Sequence, residues 1–221
     1  MIGKVYSAAV TGIYAVPVEV QADVAPGIPY FELTGNLAGT TKEAKERVRI
    51  AIKNSKFQIN PSKITINMIP ANIRKEGTSY DLAVAAVGVI AAKKVSGALF
   101  IGELGLDGGI CNVSSILPMT LCARDNGFTI CYVPMGNVGE ASLVTGIRVI
   151  GISSLRECVD YINNGCNCRA HIDNNIDNAD NNIDFADIRG QASAKRAITI
   201  AAAARHNLML IGPPGAGKSM I

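Results

Sequence analysis

The chain has 221 residues, 48% of them hydrophobic and 18% charged, a balance that excludes an intrinsically disordered protein. A net charge of +3 is too small to argue for nucleic acid or an anionic membrane from the total alone. The longest apolar run, residues 82–92, falls well short of the ~20 residues of a membrane span, and residues 1–20, broken by Thr11, Gly12 and Pro17, do not read as a secretory signal.

Residues 4–10 and 13–24 are rich in β-formers and meet at Gly12, which predicts two strands joined by a turn. Pro26-Gly27-Ile28-Pro29 predicts a second turn, followed by a strand over 30–34. Thr40-x-x-Glu43 has capping-box spacing, and Ala44, Val48, Ala51 and Ile52 recur at helical intervals, so a helix with one apolar face opens there. Residues 64–69 alternate as a strand and stop at Pro70, and 82–92 are apolar on most sides, as a buried helix is. A strand over 98–102 follows. Ser114 or Ser115 is expected to cap a helix running to about Asp125, with Pro118 near its first turn, where proline is tolerated. Strands over 129–133 and 148–152, and a helix from Ser154 to about Asn163, complete the block. Strands alternating with helices predict an α/β (α+β) domain with some parallel pairing over residues 1–162.

At Asn163 the composition changes. Residues 163–182 hold eight Asn, and Asp173-Asn-Asn-Ile-Asp177 recurs as Asp180-Asn-Asn-Ile-Asp184, which predicts a linker over 163–184. Cys166-x-Cys168-x-x-His171 lacks a fourth metal ligand and reads as polar linker. Asp173, Asn175, Asp177 and Asp184 echo a calcium loop, but Asn178 stands where its turn glycine belongs and the bidentate Glu is missing. Cys111, Cys122 and Cys131 lie in apolar stretches as small hydrophobes, and no disulfide framework is apparent, which suits a reducing compartment.

Residues 185–221 form a third segment. A helix is predicted over 191–205, with Ala194, Ile198, Ala201 and Ala202 on one face, and a wholly apolar strand over 208–211. Gly212-Pro213-Pro214-Gly215-Ala216-Gly217-Lys218-Ser219 then matches G-x-x-x-x-G-K-[ST] in full. Glycines let such a loop turn its N–H groups toward phosphate oxygens. Lys218 would reach the β and γ phosphates of ATP, and the Ser219 hydroxyl would ligate Mg2+. The strand feeding this loop has no further sequence to build its sheet. The chain therefore reads as the front part of a longer protein and is not expected to hydrolyse ATP as it stands.

Two blocks carry a family resemblance. Asp184-Phe185-Ala186-Asp187-Ile188-Arg189-Gly190-Gln191, Ala194-Lys195-Arg196-Ala197 and His206-Asn207-Leu208, followed by the phosphate loop, resemble the start of the AAA+ module of Mg-chelatase-like proteins. Lys4-Val5-Tyr6-Ser7, Val18-Glu19-Val20, the run from Lys42 to Ser55, and Ile64-Thr65-Ile66-Asn67 through Ile73-Arg74-Lys75-Glu76-Gly77 are similar to the preceding domain of the YifB/ComM family. The resemblance implies a cytoplasmic, hexameric, ring-forming ATPase; ComM members are DNA branch-migration helicases of natural transformation, so DNA and further copies of the chain are the implied partners.

That preceding domain resembles the Lon protease domain, a ribosomal S5 domain 2-like fold. Lys75-Glu76-Gly77-Thr78-Ser79 keeps the serine of Lon's nucleophile run. Laying Gly102-Glu103-x-x-Leu106-x-Gly108 on Lon's matching run puts Leu117 where the catalytic lysine belongs. A serine without a base is a poor nucleophile, and Lys93 and Lys94 stand about 20 Å along the helix from Ser79. A serine peptidase is disfavoured, and Ser79 is expected to be a helix N-cap. The alternative to the ATPase reading is a non-catalytic docking module for DNA or protein. Residues 42–75 hold nine Lys or Arg against two acids; a solvated helix face with i, i+4 pairs is the first reading, and contact with phosphates or a neighbouring subunit the second.

Overall fold

The computed structural model describes residues 2–57, 62–89, 97–164, 185, 188–213 and 215–218. The chain divides into two compact units, Met1–Asp173 and Asn174–Ile221.

The first unit is built on a hairpin. β1 (Ile2–Thr11) and β2 (Tyr14–Pro26) run antiparallel from a two-residue turn in which Gly12 takes φ +64°, a backbone that glycine adopts at little cost. β4 (Ser62–Ile69) pairs antiparallel with β2, and β3 (Tyr30–Thr34) lies parallel to β4 as the edge. On the other side of β1 come β5 (Ala98–Phe100), β8 (Ile130–Pro134) and β9 (Arg148–Ile152), all parallel, giving a seven-stranded mixed sheet in the order β3-β4-β2-β1-β5-β8-β9. A separate two-stranded ribbon, β6 (Glu103–Leu104) and β7 (Ile110–Cys111), has strands too short for any periodicity to predict.

Helices cover both faces. α1 (Gly39–Asn54), α2 (Asp81–Val89) and α5 (Leu155–Asn164) close one core, and α3 (Ile116–Asp125) with α4 (Val138–Ala141) close the other. β1 shows why: Val5 and Ala9 face the first core while Ala8 faces the second. The predicted α1 face is fully buried at Ala44, Val48, Ala51 and Ile52. Full burial of an aliphatic side chain such as Val48 or Ile52 stabilises by roughly 1.5–3 kcal/mol.

The expected caps fare unevenly. Ser154 does cap α5: its Oγ accepts the Glu157 N–H at 3.2 Å, and Glu157 accepts the Ser153 N–H at 2.7 Å. The Thr40–Glu43 box does not form. α1 starts from Ala38 without a side-chain cap, because tertiary contacts take over that end. Ala38 N–H donates to the Lys75 carbonyl at 2.9 Å, and the Thr41 hydroxyl lies 3.0 Å from the carbonyls of both Lys75 and Gly77. Ser115 occupies the α3 N-cap with φ +61° and makes no cap bond; the Glu140 carboxylate instead accepts the Leu117 N–H at 3.2 Å. Ser79 is not a cap either. α2 begins two residues later, the Asp81 N–H goes to the Thr78 carbonyl, and the Ser79 carbonyl accepts from Gly102 N–H. Cys122 and Cys131 are buried as expected, but Cys111 is exposed because the β6–β7 ribbon lies at the surface; these and buried Cys158 are free thiols.

The second unit contains α6 (Ala192–Ala204). Of its predicted face, Ala201 is buried, Ala194 and Ile198 are half-buried, and Ala202 is exposed. The strand expected over 208–211 is not formed, and Met209 and Ile211 are 81% and 85% exposed. Its residue pattern suits a buried strand, but a strand needs a ladder partner for its backbone groups, and none lies beside it among the described residues. No helix among the described residues is long and apolar enough to cross a membrane.

Candidate functional site

The loop after residue 211 has the backbone that its glycines predict. Gly215 and Gly217 take φ +78° and +76°, left-handed values that an L side chain resists. The Ala216 N–H donates to the Pro213 carbonyl at 3.3 Å and closes the turn. Lys218 curls back over the loop, its Nζ donating to the carbonyls of Gly212 and Pro213 at 2.7 Å each. These residues fit a phosphate: the glycines hold a tight turn, and a single ammonium sits over it on neutral acceptors that an anion can replace. Pro214 and Ser219 lie outside the described residues, as do Cys166, Cys168, His171, Asp173, Asn175, Asp177, Asn178 and Asp184.

One residue here escaped the motif. Gln191, at the N-terminus of α6, donates from Nε2 to the Ala216 carbonyl at 3.3 Å and ties the helix to the loop. Lys195, one turn on, donates to the carbonyls of Phe185 and Ile188 and fixes the turn before the helix. In the sequence Gln191 stands out as the first residue of the predicted helix and the last of the family-resembling run that begins at Asp184; in the structure Gly190 before it takes φ +71°.

In the first unit Ser79 lies in a separate cleft of about 520 Å3. Thr78, Tyr80, Glu103, Asn112 and Ser114 also line it, and Thr78 Oγ1 donates to Glu103 Oε2 at 2.5 Å. Burial, with the Glu76 charge adding to it, pushes the Tyr80 phenol up to about 12, so it stays neutral at physiological pH. Among the described residues no lysine or arginine lines it, and Leu117 does not line the cleft, although Met119 of the same helix does. Lys75, four residues before Ser79, is fully buried and gives its Nζ protons to the carbonyls of Gly35, Met68 and Pro70, none of which lines the cleft. Burial pulls its ammonium below the ordinary lysine value. Among the described residues no group of three His, Cys, Asp or Glu side chains converges as a metal site.

Comparison with known proteins adds an independent observation. Residues 20–137 match the family described as subunit ChlI of Mg-chelatase, and residues 184–221 match the family described as magnesium chelatase, subunit ChlI. The chain is 36% identical over 228 residues to the competence protein ComM of Haemophilus influenzae, covering 98% of this chain and 44% of that one. It is 35% identical over 225 residues to an uncharacterized protein of Mycobacterium tuberculosis, covering 100% and 45%. Against the uncharacterized protein YifB of Escherichia coli it is 33% identical over 222 residues, covering 98% and 44%. The chain thus spans about half the length of the curated relatives it matches.

Proposed function

We propose, from the premise that this chain belongs to the Mg-chelatase subunit ChlI family with YifB and ComM, that residues 212–219 are the phosphate-binding loop of an ATPase. The observation that carries this reading is the pairing of left-handed Gly215 and Gly217 with Lys218 folded over the same turn. Gly215 and Gly217 let the loop N–H groups face an anion, and Lys218 exchanges two carbonyl acceptors for phosphate oxygens. Ser219 would ligate Mg2+ through the nucleotide, and Gln191 holds the loop against α6. ATP, when bound, supplies a phosphoryl group whose transfer is driven by positioning and charge stabilisation.

The complete protein is proposed to be a cytoplasmic hexameric ring that remodels DNA, a reading supported by similarity to a competence protein. Within it, residues 1–162 form a Lon-like, S5 domain 2-like domain without peptidase activity, 163–184 a linker, and 185–221 the opening of the AAA+ module. A second reading is a non-catalytic platform that docks DNA or protein through the first unit; its non-catalytic part is supported by the Ser79 cleft, in whose lining, among the described residues, no lysine or arginine stands to activate the serine. Calorimetry with Mg-ATP and a phosphate-release assay on the complete protein test the ATPase reading. Lys218→Ala is expected to abolish hydrolysis and weaken binding at least tenfold, and an unaltered variant would remove Lys218 from the phosphate site.

A further inference from the structure

Of the nine basic residues between 42 and 75, four are engaged within the chain. Arg47 is committed to Asp81, Arg74 to Glu76, Arg49 to Glu46, and Lys75 to three carbonyls. Lys42, Lys45, Lys53, Lys56 and Lys63 have no carboxylate within ion-pair distance among the described residues, and Lys63 lies on β4 rather than on α1. At 100° per residue Lys42, Lys45, Arg49 and Lys53 fall within about 80° of arc and along about 16 Å of α1, and Lys56 follows just past its end. Lys42, Lys53 and Lys56 are exposed, and Lys45 is half-buried with its Nζ 5.3 Å from the centroid of the Tyr30 ring on edge strand β3.

The stripe works against the helix that carries it. Lys45 with Arg49, and Arg49 with Lys53, are like-charged i, i+4 neighbours, an arrangement that costs about 0.2–0.5 kcal/mol per pair. Lys53 and Lys56 stand near the C-terminal end, where the helix dipole welcomes cations. Lys42 stands in the first turn, which holds no acid, where the dipole disfavours it. Helix stability therefore explains part of the stripe and opposes the rest, an opposition that an external polyanion would relieve.

We infer that the Lys42–Lys45–Lys53–Lys56 stripe of α1 docks the phosphate backbone of nucleic acid. This locates the surface of the docking role proposed above and rests on that reading, but it needs neither the phosphate loop nor ATP. Successive cations three or four residues apart track a strand of regularly spaced charges, and no base edge need be read, so binding is sequence-independent and steeply salt-dependent.

The test is fluorescence anisotropy with labelled single-stranded and duplex DNA of arbitrary sequence, on the 221-residue chain without nucleotide or Mg2+. Lys42→Glu/Lys45→Glu/Lys53→Glu is compared with Arg148→Glu, an exposed reversal on β9. The triple variant is expected to bind at least about tenfold more weakly at low salt, and its log–log salt slope to be shallower by about 2 on single strands and about 3 on duplex, at 0.7–0.9 per lost phosphate contact. Arg148→Glu should change neither, and circular dichroism should show all three proteins folded alike. Equal weakening in both variants would overturn the assignment to α1 while leaving a docking platform intact. No DNA binding by the parent chain would overturn both. Stripe-dependent binding to phosphatidylserine vesicles that matches or exceeds DNA binding would show a lipid surface as the partner and overturn the proposal.

Discussion

Arg47 reaches from α1 to Asp81 at the start of α2 through two hydrogen bonds, Nε to Oδ2 at 2.9 Å and Nη2 to Oδ1 at 3.2 Å. Asp81 is fully buried, and the Leu104 N–H at 3.4 Å adds a third donor. The pair joins two helices of one core to the β6 ribbon. Burial pushes the Asp81 carboxyl above its ordinary 3.8, and the Arg47 bonds pull it only part of the way back; the same bonds raise the Arg47 guanidinium.

Arg47→Ala leaves that carboxylate buried without its cation. A folded value above 3.8 means that folding takes up a proton in the window just above 3.8. The penalty is absent below 3.8 and grows as pH rises through the window, which the variant widens upward. Urea unfolding should show a deficit of about 3 kcal/mol at pH 7 that shrinks markedly toward pH 4. A deficit independent of pH would mean that Arg47 acts through packing alone.

Glu19 shifts the other way. The Gln21 amide, followed by Lys4 and Tyr6, holds its carboxyl below the ordinary 4.5. This contribution is complete above 4.5 and is lost as pH falls through the depressed folded value. Glu19→Gln should therefore lower stability at pH 7 by about 1 kcal/mol or less, given a surface-edge site. The two proteins should converge in thermal unfolding as pH drops below 4. A gap that persists at low pH would show that the carboxylate charge is not the cause.

Much of this architecture is legible in local pattern. β3 and β9 have the bounds expected for them, β3 following its Pro-Gly turn, and α1 buries the face that its spacing marks out. The failures share one cause: the deciding partner is remote in sequence. Thr40 has the spacing of a cap, but Lys75 and Gly77 supply the acceptors at that end of α1. Lys75 itself sits in a basic run and reads as surface charge until Gly35, Met68 and Pro70 converge on it. Residues 208–211 have strand composition, and only a ladder partner makes a strand. In the loop after residue 211 the glycines and Lys218 follow from spacing alone, whereas Gln191 is brought there by the turn into α6.

Ser7 presents a buried cost. It lies between Val5 and Ala9 on the face of β1 that turns to the first core, is fully buried, and its Oγ has no hydrogen-bond partner among the described residues. A hydroxyl taken from water without a partner is unfavourable, and alanine removes it with little change of volume. Ser7→Ala should keep or raise stability, by up to about 1 kcal/mol. A clear fall in melting temperature would mean that the hydroxyl does find a partner in solution.

Ser79 separates a structural from a catalytic serine. If it capped α2, alanine would cost about 1 kcal/mol. The helix instead starts at Asp81 and the local bonds run through backbone: Asp81 N–H to Thr78 O, and Gly102 N–H to Ser79 O. Alanine keeps both. Ser79→Ala should thus cost clearly less than the roughly 1 kcal/mol of a lost cap. It should also leave an unfolded casein substrate as intact as the parent protein does, because among the described residues the cleft lining offers no lysine to take the Ser79 proton. Gel-resolved casein cleavage that disappears in Ser79→Ala would overturn the non-peptidase reading. It would require a base from outside the described residues, and Lys93 and Lys94 at the far end of the α2 pattern would be the first to replace.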